Sequence, residues 1–127
     1  MNEWTWTYEG YVPAEERQRE ALCTLGNGYV ATRGALAEVA ADDLHQPGTY
    51  VAGVFNRLSS EVAGRVVTNE SIVNVPNWLS LRCRVQDGGW FSPDSSEVDQ
   101  HHLELDLRRS VLTRRSRLVD PDGRVLA

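Results

Sequence analysis

The chain has 127 residues, with 13 basic and 18 acidic side chains and a formal net charge of −5 at pH 7. This length fits one domain, and the acidic balance argues against a general affinity for nucleic acid or anionic lipid. No apolar run approaches the roughly 20 residues that a membrane-spanning helix needs, and the N-terminus does not resemble a signal peptide. We therefore expect a cytoplasmic protein whose two cysteines, Cys23 and Cys83, are reduced and buried.

The first third of the chain predicts a strand, a helical turn and a hairpin. Residues 4–8, WTWTY, alternate aromatic residues with threonine, which is typical of a strand. Residues 13–20, PAEERQRE, favour a short helical turn because proline and then glutamates suit the start of a helix. The glycines of GNG at 26–28 lie between the strand-like segments ALCTL and YVATR. They predict a hairpin turn, since a phosphate-binding loop would need a helix directly after them.

The middle of the chain predicts a loop followed by several short strands. Residues 37–48 are small and polar and end in Pro-Gly, as loops do. The mostly apolar TYVAGVF at 49–55 predicts a buried strand, and RVVT and SIVNV predict two further short strands. In WLSLRCRV at 78–85, apolar residues alternate with polar ones, which predicts one more strand.

The last third continues the same pattern. Leu103 and Leu105 alternate with acidic residues, which predicts a half-exposed strand. The segment DPDG at 120–123 predicts a turn, and RVLA begins another strand, so we expect a domain that is cut rather than finished. Eight to ten short strands with almost no helix predict an all-β fold, an antiparallel β-sandwich or barrel.

The side chains that usually carry chemistry form no recognisable site. His101 and His102 are adjacent and point to opposite faces of a strand, and His45 lies in a distant loop, so we expect exposed histidines and no metal site. The carboxylates are scattered, and no pair marks glycosidase chemistry. The arginines between 108 and 117 predict a solvated strand face with ion pairs, or alternatively a basic docking patch.

The tryptophans and one proline corner leave alternatives open. Tryptophan more often packs in a core or interface, yet an exposed tryptophan can stack on a sugar ring. Four tryptophans are present, Trp4, Trp6, Trp78 and Trp90. In NVPNWL at 74–79, the asparagines can satisfy backbone groups of a rigid corner, or the corner can face a neighbouring domain.

Several segments together resemble a known family. The segments ALCTLGNGYVATRG, GTYVAGVFN, ESIVNVPNWLSL, HHLELDLRRSVLTR and DPDGR occur in this order. In order and spacing they resemble the N-terminal domain of glycoside hydrolase family 65, which contains maltose, trehalose and kojibiose phosphorylases and some hydrolases. The resemblance runs from about Trp4 to the end of the chain, and its most specific elements are TLGNGY followed by RG, and NVPNW.

The resemblance implies a β-sandwich that supports a downstream (α/α)6 barrel. In that family the barrel holds the general acid and the site for phosphate or water. We therefore expect residues 1–127 to be a single non-catalytic domain of a larger enzyme that acts on an α-linked glucose disaccharide, trehalose, maltose or kojibiose. The expected partners are the barrel and a second copy of the chain, with substrate and inorganic phosphate bound through the parent enzyme. No cofactor and no catalytic residue is assigned to this segment, which alone should be inactive.

Within this framework, one group of polar residues is predicted to clamp irregular loops or to face the barrel. A guanidinium offers five donors and can hold several carbonyl groups, and Gly34 after Arg33 allows a sharp change of backbone direction. The candidates are Asn27, Arg33, Asn56, Asn74, Asn77 and Trp78. Two other functions remain open: a free-standing carbohydrate-binding module, which needs exposed coplanar tryptophans, and a β-sandwich interaction domain with an exposed apolar patch.

Overall fold

A computed structural model describes residues 3–127, and these residues form two antiparallel sheets and one helix. In chain order the elements are β1 Thr5–Glu9, α1 Pro13–Leu22, β2 Leu25–Gly26, β3 Val30–Thr32, β4 Thr49–Val62, β5 Arg65–Val75, β6 Glu97–Asp106, β7 Val111–Val119 and β8 Val125–Leu126. The first sheet has the order β1-β6-β7-β8 and the second has the order β2-β3-β4-β5. The predicted all-β class with antiparallel pairing is confirmed.

The first sheet is built on β6, which has β1 on one side and β7 on the other. The β1–β6 register runs from Thr5 opposite Asp106 to Glu9 opposite His102. Because side chains alternate along β6, Leu103 and Leu105 turn inward and are buried, as their spacing predicts. The short β8 pairs only with the end of β7 after the predicted turn at 120–123.

The second sheet begins with the predicted glycine hairpin. Leu25 pairs with Thr32 across the turn, and Gly28 has a φ of 88°, a conformation that glycine adopts without strain. The side-chain oxygen of Asn27 accepts the backbone N–H groups of Tyr29 and Val30, both at 3.0 Å. This region is therefore a strand-to-strand turn.

The second sheet ends in a long two-stranded extension, which we call the ribbon: residues 55–62 of β4 paired with 65–72 of β5. The pairing register shifts between Tyr50 and Phe55, where Gly53 has a φ of 81°, and such a bulge bends the strand. Side chains on both faces of the ribbon are exposed. The strand predicted at 49–55 is present, but its predicted burial is wrong beyond the first residues, because no layer formed by residues 3–127 covers it. The two short strands predicted after it are one continuous strand, β5.

The core lies where α1, the glycine hairpin and the first sheet meet. It contains Cys23, Leu103 and Leu105, with Leu25 and Leu112 packed against them. Leu25 belongs to the second sheet and Leu103 to the first, so this cluster joins the two sheets. Both cysteines are free: Cys23 is buried, as predicted, and Cys83 is half-buried.

The helical turn predicted at 13–20 is confirmed, and α1 continues it to ten residues with glutamates in its first turn. Two other predictions fail outside the core. Residues 78–85 form no strand, and their β pairing is limited, within residues 3–127, to an isolated bridge between Arg84 and Trp90. The alternation of apolar and polar residues in this segment is therefore not sufficient to predict a strand. All four tryptophans are exposed, so core packing is wrong for them.

Gly34 provides a test of how tightly this core is packed. A Cβ added there would lie 2.6 Å from Cys23 Cβ and 2.8 Å from the Cys23 carbonyl oxygen, so a lack of space rather than a special φ requires glycine. We expect Gly34→Ala to lower the free energy of unfolding by about 1–3 kcal/mol, the usual cost of overpacking. Gly89→Ala is the control, since its added Cβ would meet nothing within 4 Å. Equal denaturation midpoints for the two variants would contradict this packing.

Candidate functional site

An open cavity of about 540 Å³ lies between the glycine hairpin and the inner face of the first sheet. Its lining is mostly apolar and includes Leu25, Leu36, Leu79, Leu103 and Leu112. Three of the sequence-predicted residues, Asn27, Arg33 and Trp78, also line it. The Trp78 ring is exposed, and its Nε1–H donates to Thr32 Oγ1 at 2.9 Å.

Arg33 connects the hairpin to two other parts of the chain. Its backbone N–H donates to the Gly48 carbonyl oxygen at 2.9 Å, and its terminal nitrogen donates to the Arg17 carbonyl oxygen at 3.1 Å. Its Nε is buried and has no hydrogen-bond partner among residues 3–127. Arg33 thus contacts both α1 and the loop before β4, a geometry compatible with the loop-clamp hypothesis.

The three remaining candidates lie outside the cavity. Asn74 accepts the Thr49 backbone N–H at 2.9 Å and donates to the Pro47 carbonyl oxygen at 3.2 Å, so it holds the start of β4. Asn77 accepts the Leu79 backbone N–H at 3.0 Å inside the proline corner. Asn56 is exposed on the ribbon. The structure therefore brings three of the six candidates together.

Helix α1 buries a charged face, which the sequence reasoning missed. Arg19 Nη1 donates to the Gly10 carbonyl oxygen at 2.7 Å and to Glu16 at 3.1 Å. The Arg19 guanidinium also lies 4.9 Å from the centre of the Tyr8 ring, a cation–π arrangement. Burial raises the pKa of Glu16, although the Arg19 charge opposes the shift. The low apolar content of PAEERQREAL gave no signal that this helix is buried.

A second buried chain of hydrogen bonds joins α1 to the loop before β4. Glu20 Oε1 lies 2.8 Å from His45 Nδ1, and His45 Nε2 lies 3.0 Å from the Tyr11 hydroxyl. Glu20 also accepts the Gln46 backbone N–H at 2.8 Å. His45 is fully buried, so the prediction that it is exposed is wrong: the loop folds back over the helix and supplies a carboxylate partner.

This carboxylate–imidazole–phenol chain has the residue order of an acid–base relay. Burial, with nearby carboxylates such as Glu16, raises the pKa of Tyr11 to about 12, so the phenol is protonated at neutral pH. The chain of bonds fixes the position of the loop against α1.

His101 is the second histidine that the sequence predicts wrongly as exposed, since it faces the interior beside Leu103. Its Nδ1 lies 2.9 Å from Ser116 Oγ, and its Nε2 has no partner among the residues that the structure describes. Burial and the Arg114 charge lower the pKa of His101 to about 4, so the ring is neutral at pH 7. His102 points to the opposite face, as predicted, with its Nδ1 2.7 Å from Glu9.

Arg114 of β7 forms a bidentate pair with Glu38 in the loop before β4. Both nitrogen–oxygen distances are 2.5 Å. Burial alone would raise the pKa of Glu38, but the hydrogen bonds and charge of Arg114 hold it below its ordinary value. In the same arginine-rich stretch Arg117 pairs with Asp99 of β6, an ion pair between neighbouring strands.

Residues 3–127 contain no recognisable metal-ligand cluster: no three histidine, cysteine, aspartate or glutamate side chains in this range lie close enough to hold a metal ion. The helix in this range is too short and too polar to cross a membrane.

The buried contacts of Glu20 with His45 and Gln46 should contribute strongly to stability. Removing the Glu20 carboxylate leaves its hydrogen-bonding partners His45 Nδ1 and the Gln46 N–H without that partner, and an unsatisfied buried polar group costs about 1–3 kcal/mol. We expect Glu20→Ala to lower the free energy of unfolding by this amount in a denaturant titration. Glu15→Ala is the control on the same helix, since its exposed pair with Arg19 is worth about 1 kcal/mol or less. Equal losses for both variants would show that burial of Glu20 does not matter.

The neutral His101 should make stability depend on pH. An unfolded histidine takes up a proton at about pH 6.5 but folded His101 does so only at about pH 4, so the unfolded state binds more protons in this window. Stability should therefore fall as the pH is lowered from about 6.5 to about 4, and this group accounts for about 3 kcal/mol of the loss. Denaturant unfolding at both ends of the window should show a smaller fall for His101→Asn than for the wild type. His102→Asn is the control on the opposite face, and its stability should fall with pH as much as that of the wild type. If His102→Asn instead lost as little stability as His101→Asn, the assignment of the pH dependence to His101 would be refuted.

Comparison with known proteins places this fold in a family. The family model for the N-terminal domain of glycosyl hydrolase family 65 matches residues 6–127. An uncharacterized glycosyl hydrolase of Mycobacterium tuberculosis is 51% identical over 122 residues, 96% of this chain and 9% of that protein. The trehalose 6-phosphate phosphorylase of Lactococcus lactis is 58% identical over 59 residues, 46% of this chain and 8% of that enzyme.

Two kojibiose phosphorylases extend the comparison. That of Caldanaerobacter subterraneus is 34% identical over 106 residues, 84% of this chain and 12% of that enzyme. A solved structure from the human microbiome, assigned as a kojibiose phosphorylase, shares the fold with a TM-score of 0.78 at 20% identity, covering 91% of this chain and 16% of that one. The chain thus spans about a tenth of the length of the curated relatives it matches. It belongs to glycosyl hydrolase family 65, of which residues 6–127 match the N-terminal domain.

Proposed function

We propose that this chain is the non-catalytic N-terminal domain of a larger cytoplasmic enzyme that cleaves an α-linked glucose disaccharide. The observation that carries the proposal is the match of residues 6–127 to the family's N-terminal domain, in a chain that covers only 9% of its Mycobacterium tuberculosis relative. The relatives named as trehalose 6-phosphate, kojibiose and maltose phosphorylases favour phosphate over water as the acceptor.

The state of the buried carboxylates supports a non-catalytic role. Glycoside cleavage needs a carboxylic acid that reaches the glycosidic oxygen and, when water attacks, a second carboxylate across the cleft. Here Glu16 is bound to Arg19, Glu20 to His45 and Glu38 to Arg114. These three carboxylates are thus engaged in contacts that hold the fold.

The apolar cavity supports a mechanical role toward a catalytic domain. Its leucine-rich lining is open to solvent, and covering such a surface stabilises contact between domains. Arg33, Asn27 and Trp78 line it and are the proposed interdomain residues, with the downstream barrel as their partner. In this proposal the sugar and inorganic phosphate bind to the parent enzyme in the barrel.

A carbohydrate-binding module is the second candidate, and the exposure of all four tryptophans favours it. Their geometry favours it less. The Arg108 guanidinium lies 5.2 Å from the Trp4 ring and Arg84 lies 4.8 Å from the Trp90 ring, so a cation occupies a position over each. Trp6 and Tyr8 are tilted by 60° and do not form a flat platform for a sugar.

Activity and binding assays separate the two candidates. We expect the 127-residue chain to release no glucose 1-phosphate from trehalose, maltose or kojibiose with inorganic phosphate, because it matches the family's N-terminal domain and the proposal assigns the reactive groups to the barrel. A longer polypeptide that includes the downstream barrel should release it. Calorimetry of the isolated chain should detect no binding of the same sugars. Phosphorolysis by the chain alone would refute the proposal, and sugar binding at millimolar or lower concentration would favour the binding module.

A further inference from the structure

The ribbon has a backbone edge that no other strand within residues 3–127 covers. On its outer side, β4 pairs with β3 from Thr49 to Val51, and one further bond joins the Ala52 N–H to the Tyr29 carbonyl oxygen. Beyond the bulge at Gly53 the outer edge of β4 has no strand partner in the described part of the chain, and every side chain from 55 to 62 is exposed. A two-stranded hairpin alone is marginally stable in water, so this edge is suited to receive another strand.

The turn at the tip determines which backbone groups point outward. Ala63 and Gly64 both have positive φ, 51° and 75°, which is the two-residue turn favoured in β-hairpins. The flanking pair, Val62 and Arg65, then exchanges backbone hydrogen bonds, and the pairs alternate from there. The N–H and C=O groups of Phe55, Arg57, Ser59 and Glu61 therefore face away from β5. The same alternation turns the groups of 66, 68, 70 and 72 outward on the other edge.

The charges on the β4 edge are complementary to themselves in one register. Two β4 strands can pair antiparallel with Ser59 of one strand opposite Ser59 of the other. In this register Arg57 of each strand lies opposite Glu61 of the other. The backbone N–H and C=O groups of Arg57, Ser59 and Glu61 all point outward, so they can form this pairing. Arg57 uses Nε to bind Glu70 within the ribbon, and among residues 3–127 its terminal nitrogens have no carboxylate partner. On the β5 edge no register of outward groups places Glu70 opposite an arginine.

We propose that a second copy of this chain pairs with the outer edge of β4, antiparallel and across a twofold axis at Ser59. The contact is isologous and closes on itself, so it gives a dimer rather than a fibre. Arg57–Glu61 and Ser59–Ser59 exchange both of their backbone bonds, and the two ribbons become one four-stranded sheet. This inference does not rest on the proposed enzymatic function, because every residue in it belongs to this chain.

Two proline variants test the edge directly. Ser59 and Thr68 lie opposite each other at one level of the ribbon, and their hydroxyl oxygens are 3.2 Å apart. Proline at either position removes an outward N–H and spares the bonds between β4 and β5. We expect sedimentation equilibrium to show a dimer for the wild type and Thr68→Pro, and at least tenfold weaker dimerisation for Ser59→Pro. A monomeric wild type, or equal behaviour of the two variants, would overturn the proposal.

A charge exchange tests the register without proline. Glu61→Arg places arginine opposite Arg57 of the partner copy, and we expect roughly tenfold weaker dimerisation from two such like-charge contacts. The reciprocal variant carries Arg57→Glu together with Glu70→Arg, so the ion pair inside the ribbon is kept with its charges reversed. This variant should also dimerise weakly with itself, because the glutamate introduced at position 57 would lie opposite Glu61 of the second copy. Mixing the two chains restores both opposite-charge contacts, so a heterodimer of wild-type affinity is expected. A mixture that associates no better than either chain alone would rule out this register.

Discussion

The buried charges of α1 are the constraint on which the rest of the structure depends. Glu16, Arg19 and Glu20 lie in the interior, where each unpaired ion would cost several kcal/mol. Their partners come from the end of β1, from α1 itself and from the loop that carries His45. Pairing therefore fixes the helix, the first sheet and this loop relative to one another.

This arrangement also determines where the cavity and the core lie. The carbonyl oxygen of Glu20 accepts the Gly34 N–H at 2.9 Å, which brings the glycine hairpin against the end of the helix. The close approach leaves no room for a side chain at Gly34 and packs Leu25 of the second sheet against Leu103 and Leu105 of the first. Beside this contact the hairpin and the sheet diverge, and the apolar cavity opens between them. Buried carboxylates thus hold surfaces in position, which is consistent with the proposed supporting role.

The sequence predicts the elements whose signals are local. Alternation identifies the inward leucines of β6, and the glycines around Asn27 identify the hairpin turn, because both depend on neighbouring residues alone. The sequence does not predict the burial of His45 and His101, since each is covered by residues far away in the chain. Nor does it predict that apolar residues such as Phe55 stay exposed, because the strand pattern is the same whether or not a second layer covers it.

In the candidate site, too, local sequence predicts some features and tertiary contacts decide the others. The five donors of a guanidinium predict Arg33 as a clamp, and the structure places it against Arg17 and Gly48. Asn56 belongs to the same predicted group, yet it lies on the ribbon away from the cavity. Side-chain type indicated hydrogen-bonding capacity at both positions, but only tertiary structure decides what is within reach.

The pairing of β1 with β6 has a consequence for the order of folding during synthesis. Thr5 leaves the ribosome early, whereas its partner Asp106 follows about a hundred residues later, and closing so long a loop is entropically costly. The neighbouring strands β4 and β5 can pair as soon as their turn has emerged. During synthesis β1 therefore remains without its β6 partner while β4 and β5 assemble, and in that interval no β6 strand covers its aromatic side chains.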